Sequence, residues 1–404
     1  MSHEIVPSQT KAPGSLWQTG LSLWTHRSEM YQAPVDLLSS LVTGGQPLEA
    51  QDWRRGLIVC HGDASAMLQR TASLVHLCRV FPDCEWHATS SPGTDEIISN
   101  NPHLARTWPV FPDERDKRAR SFASPPAEAV PPAVEARLRA ARFDVMLCPD
   151  SLHHPEDRML GLRMRVPTRI GFAQRAQRQL VTMEVPVNFD QPEAALFRDM
   201  VAEIASLAPR WDLRPQIFPR PEDEMEARRY HEALPRTSRH GVTARRIAVF
   251  PFVTTSGGVW FPEFWVRLLD LLSADGRLQP ILCGAASDAK RLRELSDRTA
   301  YQVPVLAADL SYRVMAAFLR GCAARLGPDS PSRHLATAVG TPAFYFRDMS
   351  VSWAEGAVTC AGEHSLVPDE MERLQPFEEI RALESLRPEL IFGEILNALP
   401  DGVK

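Results

Sequence analysis

Short apolar runs alternate with longer helix-period segments along most of the chain. Residues 56–60, Gly-Leu-Ile-Val-Cys, form an apolar run with β-branched members, which predicts a buried strand. His61-Gly62-Asp63 reads as the turn after it. Residues 64–80 carry apolar side chains at positions 67, 68, 74, 75, 77 and 78, which predicts a helix. Pro82-Asp83 stops that helix, and residues 84–89 read as the next strand. Strand–helix–strand order implies a parallel sheet. Further strands are predicted over 143–148 and 166–172.

The same alternation resumes at Arg246. Strands are predicted over 247–250, 279–284, 324–327 and 343–346, and helices over 262–273, 287–298, 312–322 and 332–339. A last helix is predicted over 387–399. Between the two series, residues 214–244 are polar and rich in Pro, Arg and Glu. They read as an interdomain linker with a helical piece at 222–233. Residues 1–50 show no strand pattern. They hold a short helix candidate at 35–42, stopped by Gly44-Gly45, and read as an N-terminal extension or an oligomer contact. The expected division is 1–50 extension, 51–238 first domain and 239–404 second domain. Each domain is an α/β, Rossmann-like unit, and ligands in such sheets bind beyond the carboxyl ends of the strands.

Composition narrows the class. The chain has 404 residues, 44% hydrophobic and 24% charged, as soluble globular proteins do. No apolar run is long enough to span a bilayer. The first fifteen residues lack a basic segment followed by an apolar one, so no secretory leader is expected. A formal charge of −5 excludes a polycation that binds nucleic acid along its length. The 7 cysteines include no C-x-x-C pair, which argues against a disulfide scaffold or a cysteine-rich zinc site and suits a reducing cytoplasm. Thirteen basic and seven acidic residues fall between 115 and 178. Such a region either attracts a phosphorylated lipid or an anionic membrane surface, or is an arginine-biased solvated face.

Four stretches, taken in order, resemble the family 9 glycosyltransferases, the bacterial heptosyltransferase-like enzymes of the GT-B fold. The first is Leu57-Ile58-Val59-Cys60-His61-Gly62-Asp63, with Phe81-Pro82-Asp83 and Asn101-Pro102-His103 after it. The second is Phe143-Asp144-Val145 leading to Arg169-Ile170-Gly171-Phe172. The third is Ile247-Ala248-Val249-Phe250-Pro251 with Trp260-Phe261-Pro262. The fourth is Gly327-Pro328-Asp329-Ser330-Pro331-Ser332-Arg333-His334-Leu335-Ala336 with Gly340-Thr341-Pro342. The resemblance covers about residues 55–400. It implies two Rossmann-like domains facing a cleft. It also implies metal-independent, inverting transfer of a sugar from a nucleotide diphosphate, with ADP-heptose the leading donor and no separate cofactor. The implied acceptor is lipopolysaccharide or another surface glycan, free or lipid-linked. The implied place is the cytoplasm, with peripheral contact at the inner membrane.

The resemblance assigns roles residue by residue. Asp63 matches the candidate base, because attack by an acceptor hydroxyl needs a carboxylate to take its proton. The other reading of Asp63 is a helix cap. Gly62, Arg163 and Arg169 fall on the acceptor side. Thr254, Thr255, Ser256 and Gly284 fall on the donor side. So do Asp329, Ser330, Ser332, Arg333 and His334, at the start of a helix whose free N–H groups and dipole suit a pyrophosphate. A plain capped helix start is the alternative there. Three positions depart from the family pattern. Val259 stands where a lysine is usual, Pro331 where a glycine is usual, and Ala285-Ala286-Ser287 carries no acidic residue. Proline has no N–H to offer a phosphate. Arg333 is expected to supply the missing cation, since guanidinium binds phosphate in a bidentate way. A catalytically inactive member that binds a carbohydrate or nucleotide is the alternative function.

Overall fold

The computed structural model describes residues 47–60, 62–90, 93–109, 130–149, 155–174, 180–188, 190–208, 211–235, 244–252, 260–346, 357–367 and 385–399. The helix candidate at 35–42 lies outside them.

The first unit holds six parallel strands: β1 (Arg55–Ile58), β2 (Glu85–Ser90), β3 (Arg106–Pro109), β4 (Val145–Cys148), β5 (Thr168–Phe172) and β6 (Met183–Val185). They lie side by side in the order β3-β2-β1-β4-β5-β6. The helices are α1 (Ala64–Val80), the single turn α2 (Asp95–Ile98), α3 (Pro132–Ala141), α4 (Pro155–Arg163) and α5 (Glu193–Ile204). All four residues of β4 are buried, as expected of a central parallel strand covered on both faces.

The second unit is wound the same way. Its helices are α6 (Pro221–Ala233), α7 (Pro262–Ala274), α8 (Ala289–Asp297), α9 (Tyr312–Arg320), α10 (Pro331–Ala338) and α11 (Pro388–Ala398). Its strands are β7 (Arg245–Val249), β8 (Leu278–Gly284), β9 (Val305–Ala307), β10 (Ala324–Pro328), β11 (Ala343–Phe346) and β12 (Glu363–Leu366), in the order β12-β11-β10-β7-β8-β9. In both sheets the chain begins at a central strand, winds outward, then crosses back to the other side. The strand order reverses between β1 and β4 in one sheet and between β7 and β10 in the other. Ligands in open parallel sheets bind at that switch point, outside the carboxyl ends of the strands. These are two Rossmann-like domains forming a GT-B fold.

Helix α1 is buried nearly all round, polar residues Gln69, Arg70, Thr71 and Ser73 included. The reason is its position: it packs on α5 in its own unit and on α10 in the other. One apolar core runs through both units, with Met67, Leu68 and Leu74 joined to Phe250, Ile281, Val314 and Leu335. A second core belongs to the C-terminal unit alone, where Trp260, Trp265 and Leu268 pack with Ile391 and Ile395 of α11.

The connection between the units is fastened at both ends. Gln216 N donates to Thr71 Oγ1 at 2.7 Å, Asn100 Nδ2 donates to the Phe218 carbonyl at 2.8 Å, and Trp211 stacks on His76. Helix α6 then sides with the second unit. Its Asp223 pairs with Arg313 at 3.0 Å, its Glu224 with Arg320, and its His231 stacks on Phe318. Helix α6, from the stretch read as a linker, thus packs on the second unit. Arg313 also donates to the Glu96 carbonyl at 2.7 Å and to Ser99 Oγ at 3.1 Å, which ties α9 to α2 across the units. Among the described residues no helix is long and apolar enough to cross a membrane.

Candidate active site

The Gly62-Asp63 turn follows β1 at the switch point. Gly62 has φ of +100°, in the left-handed region, and a Cβ there would sit 3.0 Å from the Ala66 Cβ. Only glycine meets that geometry without strain. The turn delivers Asp63 to the start of α1, where its Oδ1 accepts from Ala66 N at 3.0 Å. The helix-cap reading of Asp63 is thus correct as geometry. It does not use up the carboxylate: the side chain is exposed, and Oδ2 makes no hydrogen bond among the described residues. One oxygen is anchored and the other is open, so the carboxylate is fixed in place and still able to accept a proton. Beneath the turn lies Arg70, 2% exposed and ion-paired with Glu193 at the start of α5.

The Asp329–Ser332 loop follows β10 at the other switch point. A Cβ on Gly327 would run into the Phe250 carbonyl oxygen at 2.3 Å, so the loop packs directly on the strand beside it. Four buried or nearly buried charges hold it. The Arg333 guanidinium meets Glu363 in a bidentate pair, Nε to Oε1 at 3.2 Å and Nη2 to Oε2 at 2.8 Å. Its Nη1 donates to Asp329 Oδ2 at 2.8 Å, and it lies over the Tyr345 ring at 3.6 Å. Arg333 and Glu363 side chains are both 0% exposed. Arg325, on β10, donates to both Ser330 Oγ and Ser332 Oγ. Both carboxylates pair with Arg333, while Arg325 is held by hydroxyl and carbonyl oxygens alone. Burial pushes Arg325 down to about 9 and raises the Asp329 carboxyl, with Arg333 and Arg325 pulling the latter back. Burial, with Arg333 and Arg325 nearby, holds His334 well below the ordinary histidine value, so it is a neutral imidazole.

Several sequence expectations change here. Arg333 is not a free cation for phosphate: its charge is met by Glu363 and Asp329 inside the fold. His334, buried and neutral, brings no positive charge either. Arg169 sits near the start of β5, 5% exposed, with Nε on the Leu180 carbonyl at 3.0 Å and Nη1 on the Val166 carbonyl at 2.7 Å. Arg163 ends α4 and pairs with Glu135 at 2.9 Å. The end of α4 and the start of β5 lie at the opposite edge of the sheet from the strand carboxyl ends, so the structure does not bring either arginine to the Gly62-Asp63 turn. Gly284 does end β8 at the cleft edge, its carbonyl accepting from Ala308 N at 3.1 Å. Thr254, Thr255, Ser256 and Val259 lie outside the described residues. Sequence reasoning missed Arg70, Arg325 and Glu363. Arg325 left a trace, a lone charge inside the apolar run 324–327. Glu363 left none, because it stands 30 positions from Arg333.

Among the described residues, no group of three or more His, Cys, Asp or Glu is placed to hold a metal ion. The model of glycosyltransferase family 9 (heptosyltransferase) matches residues 133–344, just over half of the chain. No curated protein matches by sequence. Among solved structures, the glycosyl transferase family 9 protein of Veillonella parvula DSM 2008 superposes with a TM-score of 0.68 at 13% identity, over 88% of this chain and 99% of that one. The E. coli ADP-heptose LPS heptosyltransferase II gives 0.63 at 16% identity, over 85% of this chain and 98% of that one. E. coli heptosyltransferase WaaC, solved with ADP-2-deoxy-2-fluoro heptose, gives 0.60 at 16% identity, over 85% and 99%. At such identities the superpositions establish the shared fold, and the family match adds descent: the chain belongs to glycosyltransferase family 9.

Proposed function

We propose that this glycosyltransferase moves a heptose or related sugar from a nucleoside-diphosphate donor, ADP-heptose first among them, to lipopolysaccharide or another surface glycan. The observation that carries the reading is the pairing of two loops at the switch points of two like-wound sheets. One presents the open carboxylate oxygen of Asp63, the other the Asp329–Ser332 loop, and the helices they open, α1 and α10, pack against each other. Asp63 takes the proton of the acceptor hydroxyl as its oxygen attacks the anomeric carbon. The bond from that carbon to the diphosphate breaks, and its electron pair leaves on the diphosphate oxygen. A single displacement of this kind inverts the anomeric centre and needs no metal in this scheme. Ser330, half exposed at the loop, and the start of α10 receive the diphosphate. Gly62 lets the acceptor approach the backbone, and Gly284 does the same for the donor.

Arg137, Arg139, Arg142 and Arg165 are exposed on α3 and beside α4, at the pole of the first unit away from the cleft. They support peripheral contact with an anionic inner membrane. The experiment that tests the main reading is product analysis with a panel of nucleotide sugars on wild type and Asp63→Asn. Turnover of one donor, abolished in the variant while donor affinity holds, is the expected result. A folded protein that binds no nucleoside diphosphate at millimolar concentration would remove it. The second reading, a binding protein without turnover, is favoured by Pro331 without its N–H and by the engaged guanidinium of Arg333. Its mark is donor binding with no product.

A further inference from the structure

Arg325 is the most heavily used side chain in the donor-side loop and cannot itself touch a ligand. It is 0% exposed. A guanidinium has five N–H donors, and here every one has an acceptor. Nε donates to Ser332 Oγ at 2.9 Å, Nη1 to the carbonyls of Gly327 at 3.0 Å and Phe344 at 3.3 Å, and Nη2 to the Pro328 carbonyl at 2.6 Å and Ser330 Oγ at 2.8 Å. Its acceptors thus include both loop serines and the carbonyls at the end of β10.

The hydroxyl chemistry follows by counting. Both serine oxygens already accept from Arg325. They also lie 2.9 Å from each other, so one hydroxyl hydrogen is spent between them. One hydrogen remains. Ser332 is 8% exposed and Ser330 is half exposed, so the spare hydrogen belongs on Ser330. A hydroxyl whose oxygen is held by a cation is a stronger donor and a poor acceptor, which suits an anionic phosphate oxygen. The chain then runs from a buried cation through two serines to the surface. It replaces, by induction, the exposed cation that neither Val259 nor the engaged Arg333 supplies.

We propose that Arg325 is a positioning residue of the donor site, which presets Ser330 as a hydrogen-bond donor to the diphosphate and passes positive potential to it from below. The proposal rests on the donor reading of this loop. The experiment is calorimetric titration of ADP, UDP, GDP and dTDP into wild type, then the tightest of these and its nucleoside into Arg325→Met, Ser330→Ala, Ser330→Thr and the Arg325→Met/Ser330→Ala pair. Arg325→Gln, which also removes the charge, replaces Arg325→Met throughout should the latter aggregate. Diphosphate affinity is expected to fall about tenfold in Arg325→Met and in Ser330→Ala. Nucleoside affinity stays within about twofold, Ser330→Thr keeps wild-type affinity, and the double variant binds no worse than the worse single one. Equal losses for nucleoside and diphosphate, or additive losses in the double variant, overturn the positioning role and leave the donor reading standing. Failure of every nucleoside diphosphate to bind wild type overturns both.

Discussion

The two loops at the switch points do opposite things with charge. The turn at Gly62-Asp63 exposes a carboxylate fixed by a single bond, to Ala66 N. Around the loop at Asp329–Ser332, Arg333 is tied to Asp329 and Glu363, and the buried Arg325 to the loop serines. A group that must gain and lose a proton has to keep access to water or substrate. A loop that must receive a large anion gains from being rigid and from having its potential set in advance. The asymmetry suits a base on one face of the cleft and a leaving-group cradle on the other.

The comparison is tested hardest at the buried pair. Glu363→Gln breaks the fully buried pair and leaves Arg333 with Asp329 as its remaining counter-ion, which should destabilise the protein by about 3 kcal/mol in urea unfolding. Arg333→Met combined with Glu363→Leu and Asp329→Asn, which removes all three linked charges together, should recover most of that loss. A Glu363→Gln protein as stable as wild type would show that the loop is not held by its charges. On the other side, Asp63→Asn should leave stability unchanged, because asparagine caps as well as aspartate, while kcat falls by about 10²–10⁴-fold. Asp63→Ala should add a stability loss of ~1 kcal/mol to the same drop in rate. If asparagine turns over normally, Asp63 is a cap alone.

Smaller effects sharpen the picture. Gly62→Ala forces a side chain into left-handed backbone against Ala66 and should cost about 1–2 kcal/mol, read as a lower Tm. The pH dependence has a definite sign. His334 is held well below its ordinary value of 6.5, so below that pH the unfolded chain takes up a proton that the folded chain refuses. Stability is then full above the unfolded value and falls as pH drops through it, by about 1.4 kcal/mol per pH unit for a group that stays neutral. His231 acts in the same direction through its own burial. The raised Asp329 carboxyl works the other way, gaining a proton more readily when folded, and offsets part of the loss at lower pH. A shallower slope in His334→Gln, from denaturation at several pH values, is the expected outcome.

The elements that build the cleft were the legible ones. β11 over Ala343–Phe346 and α7 from Pro262 stand where the apolar pattern puts them, because a buried parallel strand and a helix with one apolar stripe leave clear periods. The peripheral pieces escaped. β3 is an edge strand ending in proline, and β6 and β9 have three residues each, too few for a period to show. The glycine turn and Asp63 could be read because their conformation is set locally. The partners of Arg333 could not. Which side a guanidinium turns to depends on β12, which a second crossover brings beside the loop. For the same reason Arg163 and Arg169 looked like site residues in a basic stretch, and only strand direction shows that they stand at the far edge of their sheet.

The fastening of the connection carries a mechanical consequence. Up to Phe218 the chain is bound to the first body through Thr71, Asn100 and His76. From Pro221 it is bound to the second through Asp223, Glu224 and His231. Only Pro219 and Arg220 lie between, and the prolines at 219 and 221 each fix φ near −65°. The joint therefore has very few free torsions. With Arg313 gripping Glu96 and Ser99 across the units and one apolar core running through both, the connection adds almost no slack of its own: it works as a splint and not as a tether.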